Sequence, residues 1–165
     1  MLINYWPTRY TVVTNRFGAD PAYYQRFNLP GHEGLDFRVQ YRAYISSVYS
    51  CTDGFVKFVG YRSKTDPYGY QVRIATHYDG ADYELVYAHL ANGSCQLLVG
   101  QLIQAGAILG QGGATGNARG AHLHVSLIKK NATAARQTAY PHNLINPEPF
   151  FKEYIHAMGL EVEWK

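Results

Sequence analysis

From Leu35 to Ile128 the chain keeps returning to short runs in which apolar and polar residues alternate, broken by glycine or by Asn/Asp turns. Side chains two apart share one face of a strand, so this period specifies half-buried strands rather than helices. Asp36-Phe37-Arg38-Val39 has the pattern, and so does Gly54 to Gly60, with glycine at both ends. Ala43 to Ser50, Tyr70 to Thr76, Glu84 to Leu90, Ile108-Leu109-Gly110 and His122 to Ile128 complete the strand set. Tyr78-Asp79-Gly80 is a turn between two of these runs and predicts a hairpin. The 15 tyrosines suit pleated surfaces and the 16 glycines suit the turns. The fold class expected is all-β.

Helical signals are confined to the flanks. Residues 19–29 predict one short helix, with Asp20 as N-cap, Pro21 in its first turn and Pro30-Gly31 ending it. Pro147 to Met158 predicts a second over one edge. Residues 1–18 read as an extended lead-in. No linker, repeat or charge block divides the chain, so 1–165 is expected to be one domain with its core at about 14–150.

A net charge of +3 is too small to argue for nucleic acid and suits an anionic surface such as a bacterial envelope. Cys51 and Cys95 do not form a C-x-x-C pair and are expected to be free thiols. The first residues show neither a basic n-region nor an apolar h-region, so no secretory signal is visible. No apolar run reaches the ~20 residues of a membrane span. Either the protein leaves its cell without this route, or the chain is an excised domain.

The chemistry sits in the histidines. His122 and His124 flank Leu123, and on a strand they stand on one surface roughly 6.5–7 Å apart. That spacing suits one metal ligand and one group handling a metal-bound water. His32 and Asp36 from one turn, added to a strand histidine, give the three protein ligands that catalytic zinc takes. Each piece alone reads more readily as surface histidines or a polar loop than as part of a metal site. His32-Glu33-Gly34-Leu35-Asp36 also resembles the helical H-E-x-x-H motif, which would make Glu33 a general base. Gly31, Gly34 and the strand that follows oppose a helix there, so Glu33 is read as non-catalytic.

In order along the chain these segments resemble the lysostaphin/LytM-type zinc endopeptidases. Asn15-Arg16-Phe17-Gly18 looks like the entry turn. Gly31 to Phe37 matches the first metal motif, and Tyr87-Ala88-His89-Leu90 the catalytic-histidine motif. Val99 to Gly106 is similar to the connecting segment. Gly113-Ala114-Thr115-Gly116 and His122-Leu123-His124-Val125 match the closing glycine loop and second metal motif. The resemblance covers about Thr14 to Phe150. It implies a bent antiparallel sheet with a narrow groove and one zinc ion held by His32, Asp36 and His124. His89 and His122 are then the catalytic pair. The implied activity is hydrolysis of peptidoglycan peptide bonds by zinc-bound water, by a monomer that is phage-delivered, released on lysis or secreted. One of the two histidines is then the base and the other stabilises the oxyanion; His122 as base and His89 as stabiliser is the working order, which the sequence leaves open. Stem-peptide crosslinks are favoured over glycine bridges. Relatives that have lost ligands act as non-catalytic regulators of other wall hydrolases, but every ligand position is filled here. The chain departs from the family at Ala19 to Tyr24 and at Ala81 to Glu84, near the expected groove walls. His77, His142 and His156 are expected to be structural or surface residues.

Overall fold

A computed structural model describes residues 1–165. In chain order it contains β1 (Val12–Asn15), α1 (Pro21–Tyr24), β2 (Leu35–Arg38), β3 (Gln40–Tyr41), β4 (Tyr44–Ile45), β5 (Ser47–Tyr49) and β6 (Gly54–Gly60). There follow β7 (Gln71–Tyr78), β8 (Ala81–Ala88), β9 (Leu102–Ile103), β10 (Ile108–Gln111), β11 (His122–Lys129), β12 (Leu144–Ile145), α2 (Glu148–Met158) and β13 (Glu163–Trp164). The main sheet runs β13-β1-β2-β11-β8-β7-β6-β9, with β12 on the end of β11. Its pairs are antiparallel except β1 with β13, so a parallel edge closes an otherwise antiparallel sheet.

The period-two pattern sorts the two faces. Leu35 and Phe37 of β2, Leu123, Val125 and Leu127 of β11, Leu85 and Tyr87 of β8, and Val72 and Ile74 of β7 are all buried on one face. They are in register across the strands: Phe37 opposes Leu123, Val125 opposes Tyr87, and Tyr87 opposes Val72. The lead-in is part of this core, because Leu2, Ile3 and Trp6 are buried in it. Trp6 meets Phe37 and Phe151 edge-on, with ring centroids 5.2 and 5.9 Å away. Each such pair adds roughly 0.5–1.5 kcal/mol beyond its burial. Phe151 comes from α2, whose Phe151 and Tyr154, three apart, face the sheet. Asn146 Oδ1 accepts the Glu148 N–H where α2 starts, and Gly159 at φ 62 ends it.

The opposite face of the same strands carries the polar row: Asp36 on β2, His122, His124 and Ser126 on β11, Glu84 on β8, and Gln71 and Arg73 on β7. A one-residue slip would bury this row in the apolar core, so the core fixes its position.

Three sequence expectations change. The strand expected from Ala43 to Ser50 is β4 and β5, split at Ser46, whose hydroxyl accepts the Arg9 N–H. The 19–29 helix is one α-turn and one 3-10 turn. Asp20 makes no side-chain cap and sits in the left-handed region at φ 51. The hairpin expected at Tyr78-Asp79-Gly80 turns on Asp79 and Gly80 alone, at φ 48 and 71, so Tyr78 remains in β7. Both cysteines are free, Cys51 buried and Cys95 half-buried.

Candidate active site

Two strands, β2 and β11, and two loops bring all five singled-out residues to one groove of about 850 Å³. In the β2–β11 register His124 lies directly opposite Asp36, and across β8 it opposes Ala88, whose small side chain leaves room for the imidazole. His32 precedes β2 on an irregular turn, so no helix carries it and Asp36 together. The helical H-E-x-x-H arrangement is therefore absent, and Glu33 lines the groove with its Oε2 buried and unpartnered. Gly34 allows the turn to close over β11: a Cβ there would lie 2.4 Å from Val125 O and 2.7 Å from His124 Nε2.

Three side-chain atoms converge. His32 Nε2 is 3.0 Å from His124 Nδ1, His124 Nδ1 is 2.9 Å from Asp36 Oδ1, and Asp36 Oδ1 is 3.1 Å from His32 Nε2. His32 and His124 are buried, and the Asp36 side chain is 14% exposed. The backbone settles which His32 nitrogen carries hydrogen. Nδ1–H donates to the Arg16 carbonyl, leaving a lone pair on Nε2. Burial pushes the Asp36 carboxyl up, but the facing His124 and His32 imidazoles outweigh it and hold Asp36 well below the usual carboxylate range. With His32 neutral, at most one hydrogen, on His124 Nδ1, lies among the three atoms. A buried triangle of acceptors short of hydrogens is balanced by a cation. Its edges of about 3 Å leave a point at about 2 Å from every corner, the bond length zinc takes to nitrogen and oxygen. The donor set therefore fits zinc.

His89 and His122 stand beside the triangle, their rings 4.7 Å apart, and His122 Nε2 is 3.8 Å from Asp36 Oδ1. His122 Nδ1–H donates to Gly120 O at 2.9 Å and His89 Nδ1–H to Thr115 O at 2.8 Å. In the neutral ring each then turns its Nε2 lone pair to the groove. His89 follows β8 in the left-handed region at φ 63, a strained position for a residue with a Cβ. It is held there by hydrogen bonds from its N–H to Tyr68 O and from Leu90 N–H to Tyr70 O. Burial first, and then His124 and His122, push its pKa down to about 3, so it is neutral at ordinary pH.

The groove walls contain residues the sequence reading did not single out. Tyr23, Tyr24 and Phe27 form one side, and Tyr68, Asn117 and Arg119 line it elsewhere. The groove tyrosines come from α1 and from the loop before β7, not from the strands. Tyr23 lies between two cations, with the Arg26 guanidinium 3.9 Å and that of Arg119 5.1 Å from its ring centroid. His142, expected simply at the surface, is exposed on the groove rim. His77 pairs with Asp82 on the exposed end of the β7–β8 hairpin, and His156 lies on α2.

A His-Asp-His cluster on a sheet, opening into a groove beside two further imidazoles, fits a metal-dependent hydrolase. Residues 30–136 match Peptidase family M23, and the chain belongs to that family. It is a zinc metallopeptidase. Among solved structures it is similar to the catalytic domain of the antimicrobial peptidase lysostaphin from Staphylococcus simulans, with 24% identity over 74% of this chain and 80% of that one, at a TM-score of 0.57. The catalytic domain of a mutant of the prophage-encoded M23 protein EnpA from Enterococcus faecalis shares 21% identity over 89% and 95%, with a TM-score of 0.63. At these identities both show the fold. A zinc containing peptidase from Vibrio cholerae shares 26% identity over 79% of this chain and 38% of its own, with a TM-score of 0.56. No curated protein matches the chain significantly.

Proposed function

We propose that this chain hydrolyses peptide bonds of bacterial peptidoglycan, with one zinc ion held by His32, Asp36 and His124 and with His122 and His89 as the catalytic pair. The observation that carries the reading is the convergence of three ligand atoms within 3.1 Å beside two imidazoles with free Nε2 lone pairs. When bound, zinc polarises the scissile carbonyl and acidifies a water molecule. His122 Nε2 takes a proton from the attacking water as its oxygen bonds to the carbonyl carbon. The imidazolium so formed returns that proton to the amine nitrogen as the C–N bond breaks. His122 suits this role better than His89, because its side chain is 23% exposed and the deeply buried His89 resists positive charge. His89, with its hydrogen on Thr115 O, offers Nε2 as an acceptor that orients the water. That differs from the oxyanion role expected from sequence.

One feature favours stem-peptide crosslinks over glycine bridges. Stem peptides carry free carboxylates and glycine bridges carry none, and the groove wall presents Arg119, with Arg26 stacked behind Tyr23. The similar lysostaphin is named an antimicrobial peptidase and EnpA is prophage-encoded, which fits delivery to a cell wall. Digestion of purified walls of both crosslink types, with and without a chelator, tests the reading. The expected products are peptides with new amino termini and intact glycan strands, lost with chelator and restored by zinc. Sugar-cleavage products, or turnover indifferent to chelation, would overturn it.

A further inference from the structure

The structure gives His124 a hydroxyl relay on the side away from the other ligands. His124 Nε2 lies 2.7 Å from Ser126 Oγ, and Ser126 Oγ lies 3.2 Å from the Tyr68 hydroxyl. Ser126 is fully buried, two residues along β11 on the same face as His124. The Tyr68 ring stacks on the His124 ring at 5.5 Å between centroids and 29° between planes. The backbone carbonyl of the same Tyr68 accepts the His89 N–H at 2.9 Å.

The other histidines of the site have their tautomers set by main-chain carbonyls, which only accept: Arg16 O for His32, Thr115 O for His89 and Gly120 O for His122. His124 alone is set by a hydroxyl, which both donates and accepts. For His124 Nδ1 to offer a lone pair to the cluster, Nε2 must carry the hydrogen and Ser126 Oγ must accept it. Ser126 then donates onward to the Tyr68 oxygen. We propose that Ser126 and Tyr68 are positioning residues that hold His124 in the Nε2–H tautomer and so set the affinity of the site for zinc. This rests on the ligand set proposed above.

The relay is directional, so its two members are unequal. Ser126→Ala leaves the Nε2–H buried with no acceptor. Tyr68→Phe keeps the ring stack and the main-chain bond to His89 and removes only the hydroxyl. Loss of a group that orients a metal ligand typically weakens metal binding by about 10–100-fold. Zinc dissociation constants, measured by chelator competition on the full chain, are expected to rise by that factor in Ser126→Ala and by roughly threefold to tenfold in Tyr68→Phe. The double variant should match Ser126→Ala, because Tyr68 acts through Ser126. Long-range proton–nitrogen NMR of the zinc-loaded protein should find the His124 hydrogen on Nε2. Wild type that binds zinc stoichiometrically while both single variants bind within twofold of it would overturn the relay, as would a hydrogen found on Nδ1. Wild type that binds no zinc would instead remove the ligand assignment itself. If Ser126→Ala does not fold, Tyr68→Phe and the wild-type spectrum still decide.

Discussion

The Nδ1–H of His89 donates to the carbonyl oxygen of Thr115 at 2.8 Å, and the same Thr115 holds the strand end that presents His89. Its hydroxyl donates to Leu90 O at 2.7 Å and accepts the Tyr70 N–H at 2.9 Å. One residue of the glycine loop thus fixes both the tautomer of His89 and the left-handed turn that carries it. Thr115→Val keeps the shape, removes both hydroxyl bonds and leaves two main-chain groups without their partner. We expect a stability loss of roughly 1–3 kcal/mol and turnover about 10–100-fold lower, as a misplaced catalytic group gives. Zinc content should be unchanged. Thermal melts, metal analysis and steady-state kinetics check all three, and unchanged turnover would remove Thr115 from the positioning of His89.

Ligand and catalytic roles separate by metal content. His32→Ala, Asp36→Ala and His124→Ala should each lose stoichiometric zinc. His89→Ala and His122→Ala should keep it and lose at least about a hundredfold in turnover. Metal analysis on purified, dialysed variants beside a wall-digestion rate gives both readouts. Stoichiometric zinc in the Asp36→Ala variant, or near-full turnover in both catalytic variants, would contradict the assignment.

Arg119 offers a test of substrate class. Its guanidinium lies 5.1 Å from the Tyr23 centroid on the groove wall, away from the ligand triangle. An exposed ion pair is worth up to about 1 kcal/mol, or about fivefold in affinity. Arg119→Ala should raise KM about fivefold for carboxylate-bearing stem peptides and leave kcat within twofold. A glycine-bridge substrate should be indifferent. Equal effects on both substrates would count against carboxylate recognition.

Glu84 is one source of the acid limb of stability, beside Asp36, Asp82 and Glu148. Glu84 on the polar face of β8 binds Arg73 at 2.9 Å and also Lys57, and Arg73 is held in turn by Gln71 Oε1 at 2.7 Å. Burial raises the Glu84 carboxyl, but the bonds from Lys57 and Arg73 outweigh it, so its folded pKa lies below the ordinary 4.5. A depressed carboxylate contributes fully above its unfolded pKa and loses that contribution as pH falls through the folded value. Glu84→Gln should cost roughly 2–4 kcal/mol at pH 7, because it leaves the buried Arg73 without its charge partner. It should also flatten the pH dependence of stability below 4.5. Denaturant melts from pH 3 to 7 measure both effects, and parallel curves for variant and wild type would exclude Glu84 as a source.

The sequence made legible whatever depends on local period and order. Two residues apart on a strand, His122 and His124 had to share a face, and Gly34 argued against a helix at His32. The opposition of His124 to Asp36 was not legible, because it is a register between strands far apart in sequence, fixed by core pairs such as Leu123 with Phe37. Tyr68 escaped notice because it lies in a loop, where no periodicity marks a side chain that stacks on a ligand. Asp20 had the composition of a cap but takes φ 51, since the chain turns there toward the loop that hydrogen-bonds the His32 N–H through Ala19 O.

Gly34 joins the local sequence to the distant ligand, and this gives the last prediction. Its hydrogen faces β11 where a methyl would stand 2.4 Å from Val125 O and 2.7 Å from His124 Cε1 and Nε2. The backbone of β11 is pinned on both sides by β2 and β8, so it cannot retreat. The imidazole can yield only by leaving Ser126 and Asp36. Gly34→Ala should therefore act on metal binding before it acts on the core, weakening zinc at least about tenfold, with an overpacking cost of roughly 1–3 kcal/mol. Gly120→Ala is the matched control. It is two residues from His122, but a Cβ there meets nothing within 4 Å, and it should leave zinc affinity within twofold. Chelator competition on the two variants decides, and equal affinities would mean that the turn at Gly34 does not bear on His124.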